Sequence, residues 1–161
     1  MQHYGCAVLC NGTFETRDGQ RALMEAGGLQ AVLRAISSHT SHAGVLHAGC
    51  GVLCNLAQDP LKRRELTEAG SLACIIAGMW AFTGAGPGMR HPEVQEWGIN
   101  TILAMCTRNP SGLALLQKHD PELKVVEQAC KFHWTNPAMT SAGGRLKDLL
   151  GASKSFIKSA V

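Results

Sequence analysis

Along residues 29–36 the apolar side chains Leu29, Val32, Leu33 and Ile36 fall at i, i+3, i+4 and i+7, the spacing of one buried stripe on an α-helix. Gly27-Gly28 precedes the stripe and Ser37-Ser38 breaks it, so a helix bounded on both sides is predicted. Before it, residues 20–26 place Leu23 and Met24 on one side and stop at the same glycines. After it, residues 43–58 carry Leu46, Cys50, Leu53 and Cys54 inward and end at Asp59-Pro60, because a residue before proline is pushed out of the helical region. Three helices in succession are predicted, and no stretch shows the two-residue alternation of a half-buried strand.

The triplet then returns. Residues 61–69, 72–82 and 93–107 repeat it, and residues 111–119, 122–133 and 138–150 repeat it more faintly. Gly5 recurs as Gly49 and Gly98 at offsets of 44 and 49, Asn11 as Asn55 at 44, and Glu25-Ala26-Gly27 as Glu68-Ala69-Gly70 at 43. A loop at 83–92 delays one third helix and accounts for the longer offset. Self-similarity at this period is the signature of a solenoid, whose units cannot bury their apolar faces alone and must stack. The string HYGCAVLCNGT at 3–13 matches HAGCGVLCNLA at 47–57, so the chain is expected to begin inside a third helix whose first two partners are missing. Such an uncapped end leaves apolar area in water at ~25 cal/mol per Å². It suits self-association, a fragment of a longer array, or a short chain capped by a partner.

Composition fits a single packed domain. The chain has 161 residues, 45% of them hydrophobic, enough for a continuous core. Fifteen Lys plus Arg stand against 12 Asp plus Glu, and a net +3 gives no reason to expect nucleic acid. The seven cysteines are odd in number and mostly lie in apolar, helix-like surroundings, which reads as reduced thiols inside a cell. MQHYGCAVLC has neither a basic start nor a long apolar region, and Gln2 excludes the usual myristoylation signal. An intracellular, mainly cytoplasmic location is expected, with nucleus and cilium left open. The sequon Asn11-Gly12-Thr13 is then accidental. Residues 71–89 contain no charge, but their strongly apolar part, 73–82, is too short for a membrane span of about twenty residues.

Candidate chemistry is sparse. Cys6/Cys10 and Cys50/Cys54 are i, i+4 pairs on single helix faces, whereas a zinc site needs four converging ligands. They are expected to pack where helices cross closely, with Gly5, Gly49 and Gly98. The glycine-rich run at 83–88 lacks a phosphate-loop spacing and reads as an inter-helix loop. Lys62-Arg63-Arg64 has Glu65 and Glu68 within pairing reach and reads as a solvated face. No serine, cysteine or lysine has the context of an activated nucleophile. No catalytic residue, metal ligand or cofactor is therefore assigned.

The pattern R-x-L-x-E-A-G-G-L-x-A-V-L-R-A at 21–35, followed by G-C-G-V-L-C-N-L-A at 49–57, resembles the armadillo repeat. The resemblance is strong from Gln2 to Cys106 and weak beyond. Helical period alone would also admit the related HEAT repeat, while the EAG hinge and the late asparagine favour armadillo. The family implies an all-α fold, a right-handed α-solenoid of about three three-helix repeats. In that reading 1–161 is one domain: 1–13 ends a truncated repeat, 19–58 and 61–108 are repeats, 110–153 is a degenerate repeat, and 154–161 is a tail.

Armadillo proteins line a concave groove with their third helices, and a late asparagine there often holds the backbone of an extended peptide. The resemblance places that asparagine at Asn11 and Asn55, with Ala104 as the third equivalent. One and two turns earlier stand Ala7 and His3, Gly51 and His47, and Asn100 and Glu96. Import receptors of the family carry tryptophan one turn before the asparagine, and Ala7, Gly51 and Asn100 stand there instead, which argues against that function. Trp97 lies one position off the ladder and is assigned to core or rim. A cap-like bond is the structural alternative for Asn11 and Asn55. The expected function is a non-enzymatic scaffold that binds a protein or peptide segment. The rival readings are a membrane-associated adaptor and a cysteine-based redox or metal-binding protein.

Overall fold

The computed structural model describes residues 2–83 and 91–159, with side chains to residue 151. The predicted glycine-rich loop falls largely on residues outside this set. Ten helices make up the secondary structure of the described residues, and no strand occurs among them. In chain order they are α1 (Gln2–Thr13), α2 (Arg17–Glu25), α3 (Gly28–Ser38), α4 (Ala43–Leu56) and α5 (Pro60–Glu68). There follow α6 (Ser71–Trp80), α7 (Pro92–Cys106), α8 (Pro110–His119), α9 (Lys124–Phe132) and α10 (Pro137–Ser159).

Local signals explain most boundaries. Gly27 and Gly70, the last residues of the two EAG strings, take φ of 71° and 79° and turn α2 into α3 and α5 into α6. That left-handed conformation carries no steric penalty only for glycine. Asp59 both follows α4 and caps α5, its carboxylate accepting from the Leu61 amide at 2.9 Å, with Pro60 in the first turn of the helix. The hinge before α9 has no glycine. Leu123 itself adopts φ 53°, and the buried Asp120 carboxylate accepts from the Lys124 and Val125 amides at 2.8 and 3.1 Å. This moves the start of α9 to Lys124, later than the apolar pattern suggests.

The expected stripe of α3 is buried at all four positions, Leu29, Val32, Leu33 and Ile36. Like elements pack on like. α1 lies on α4, α4 on α7 and α7 on α10; α3 lies on α6, α6 on α9, and α5 on α8. α4 therefore has neighbours on most sides, and Val45, Leu46, Cys50, Val52, Leu53 and Leu56 are all buried. The close crossings expected at two glycines are present: a Cβ on Gly49 would lie 2.8 Å from Ile36, and one on Gly98 2.5 Å from Met79. Gly5 differs, since nothing stands within 4 Å of its Cβ position. Tyr4 and Val8 beside it are 74% and 69% exposed.

Candidate functional site

The nine ladder positions lie on α1, α4 and α7, three helices that pack in succession. Their environments differ. Asn11 is exposed, and His3, Ala7, His47, Glu96, Asn100 and Ala104 are half-buried. Gly51 and Asn55 are buried. A Cβ on Gly51 would lie 2.6 Å from Cys10 Sγ, so the missing side chain leaves room for that thiol between α1 and α4.

Asn55 joins two helices. Its Nδ2 donates to the Cys10 carbonyl at 3.0 Å and to Thr13 Oγ1 at 3.2 Å, both at the C-terminal end of α1. Gln20 Nε2 donates to the Thr13 carbonyl at 3.1 Å and to the Asn55 carbonyl at 3.2 Å, which ties α2 into the same corner. Helix C-termini expose carbonyls without intrahelical donors, and these amides supply them. The Asn55 nitrogen is thus engaged within the chain. Thr101 on α7 donates to the Cys50 carbonyl of α4 at 3.0 Å and joins the next pair of helices.

The α7 positions face different surroundings. Asn136, just before α10, donates to Glu96 Oε2 at 2.7 Å. Asn100 and Ala104 line a hollow of about 370 Å³ between α4, α7 and α10, together with Trp97, Cys54, Arg63 and Arg145. Trp97, placed off the ladder by spacing, therefore lines the hollow, and its ring lies 5.9 Å from that of His47. His47 also borders a separate hollow with His91 and Glu93. His3 lies against Gly44 and 5.9 Å from the ring of His42.

The basic run is only partly a solvated, acid-paired face. Arg64 pairs with Glu68 at 2.8 Å, while Lys62 pairs with Asp59 at 2.7 Å rather than with Glu65. Arg63 turns inward, its Nε donating to the Ala57 carbonyl at 2.9 Å and its Nη1 to the Thr107 carbonyl. A guanidinium there meets the negative ends of α4 and α7 at once. Arg63 and Arg145 were not legible as site residues. Arg63 stands in a helix that spacing turns to solvent, and Arg145 in the faintest repeat.

All seven cysteines are unpaired thiols. Burial raises the pKa of Cys54 in the hollow, with hydrogen bonds from Thr101 and Gln58 opposing it, so the thiol stays protonated near neutral pH. No three His, Cys, Asp or Glu side chains among the described residues are grouped to hold a metal ion. No helix among the described residues is long and apolar enough to cross a membrane. Compared with protein-family models, curated proteins and solved structures, the chain matches none of them.

Proposed function

We propose that the chain is an armadillo-type, right-handed α-solenoid that binds an extended protein or peptide segment along the face made by α1, α4, α7 and α10, and that it performs no chemistry of its own. The observation that carries this reading is the succession of third helices, α1 on α4 on α7 on α10, with a hollow opening between the last three. Sequence positions 44 or 49 residues apart recur on that one row, which is what a repeated binding surface needs.

Within the row the working positions are Asn100, Ala104 and Trp97. Asn100 is half-buried in the hollow, where a carboxamide can donate to a peptide carbonyl and accept from a peptide amide. Asn55 contributes by fixing α1 against α4, and Asn11, Ala7 and His3 extend the surface. Seven unpaired thiols, each buried or half-buried, suit a reducing intracellular compartment.

Selection of a displayed library of short extended peptides against the whole chain tests the reading. Asn100→Ala combined with Trp97→Ala should weaken the selected peptides roughly tenfold or more, since each uncharged hydrogen bond is worth ~0.5–1.5 kcal/mol and the ring adds contact area. Lys62→Ala with Arg64→Ala should leave them unchanged. The reverse pattern would place binding on the outer basic edge instead.

A further inference from the structure

The hollow between α4, α7 and α10 has a chemistry that the ladder does not express. Arg63 and Arg145 both border it, and neither has a carboxylate partner among the described residues. Arg63 is held in place by the Ala57 and Thr107 carbonyls, so its guanidinium is pre-positioned, and Arg145 is exposed on α10. Asp148, three residues after Arg145, borders the adjoining hollow but forms no ion pair with it. The wall is mixed: Leu103 and Ala104 on α7, the Trp97 ring, and Leu149 next door supply its apolar part, while Gln58, Asn100 and Thr107 supply polar groups.

Resting on the peptide-groove reading above, we infer that this hollow selects a carboxylate side chain of the bound segment, Asp or Glu, next to an aliphatic one. Arginine's planar fork matches a carboxylate, and a charge-assisted bond made partly out of water in such a hollow is stronger than one between neutral groups. A volume of about 370 Å³ suits one or two side chains. The aliphatic neighbour lies on Leu103 and Ala104, while Asn100 takes the intervening peptide group.

The test uses the full chain and four short acetylated peptides that differ only at the central pair: Glu-Leu, Gln-Leu, Lys-Leu and Glu-Ser. Affinity is titrated while NMR follows the Trp97 indole N–H and the Arg145 Nε–H. Expected is the order Glu-Leu above Gln-Leu above Lys-Leu, with Glu-Ser also weakened and both reporter signals shifted. Arg145→Gln should lower Glu-Leu affinity roughly tenfold and sharply reduce its advantage over Gln-Leu, the remainder resting on Arg63. Arg145→Glu should reverse the preference towards Lys-Leu, an outcome that loss of fold would not produce. Raised salt should narrow the gap between Glu-Leu and Gln-Leu. Peptides that shift Trp97 without discriminating Glu from Gln would overturn the acidic preference and leave the groove reading standing. Failure of every peptide to shift either reporter would sink both.

Discussion

Asn55 stands where the family resemblance would put a peptide-binding amide, yet its nitrogen bonds the Cys10 carbonyl and Thr13 hydroxyl of the neighbouring helix. Both uses satisfy the same carboxamide, and only what lies within hydrogen-bond reach separates them. Asn55→Ala should therefore destabilise the fold by about 1–3 kcal/mol, because buried acceptors lose their donor. Asn100→Ala should leave stability within about 0.5 kcal/mol while weakening peptide binding. Urea denaturation of the two variants checks the contrast. The thiols give a pH signature at the same scale. Burial lifts Cys106 from the ordinary 9.0 to about 12, and lifts Cys50 further with help from the nearby Cys74 and Cys54. Below pH 9.0 both folded and unfolded chains keep these protons, so the contribution is fully present. Above it the unfolded chain loses protons that the folded chain retains, and unfolding is favoured. Stability should fall by about 1.4 kcal/mol per pH unit for each such thiol as pH rises from there towards about 12, read from urea midpoints.

The hinges between helices show one geometric problem solved in two ways. Gly70 adopts the left-handed turn freely, whereas Leu123 takes a similar φ with a side chain that is 3% exposed. A non-glycine residue there costs roughly 1–2 kcal/mol, and the two Asp120 bonds to the α9 amides together with burial of Leu123 offset it. Gly70→Ala should accordingly cost about 1–2 kcal/mol. Asp120→Ala should cost about 1–2 kcal/mol through loss of the cap, and it should loosen the start of α9 selectively. Thermal unfolding measures both totals, and amide exchange at Lys124 and Val125 locates the second. Equal loss of protection throughout the chain would contradict the local assignment.

Across the whole molecule the helices are unequally covered. α4 is packed by α1, α3 and α7, while α1 has α4 and α2 as its main neighbours and leaves Tyr4 and Val8 in solvent. Local opening follows the number of buried contacts an element makes, so hydrogen exchange should be slower in α4 and α7 than in α1. Gly51→Ala sharpens the test, because its Cβ would meet Cys10 Sγ at 2.6 Å and displace that thiol from the contact between α1 and α4. Protection should then drop in α1 far more than in α7. A uniform drop would mean that the chain unfolds as one unit.

The helical class, the three-helix succession and the two EAG hinges could be read from sequence because each rests on near neighbours: a stripe at i, i+3, i+4 and i+7, a glycine at a positive φ, a proline in a first turn. The close approaches at Gly49 and Gly98 were legible for a related reason, since repetition marked them. What tertiary structure alone decided was the use of each polar group. Spacing puts Asn55 and Asn100 one rung apart on the same ladder, yet one is tied to α1 by Cys10 and Thr13, more than forty residues away, and the other faces a hollow lined from α4, α5 and α10. Arg63 reaches the ends of α4 and α7, and Arg145 lines the same hollow, although more than eighty residues separate them in the chain. Local periodicity fixes which face a side chain occupies. The packing of distant helices determines what that face meets, and with it whether an amide or a guanidinium holds the fold together or is left to hold something else.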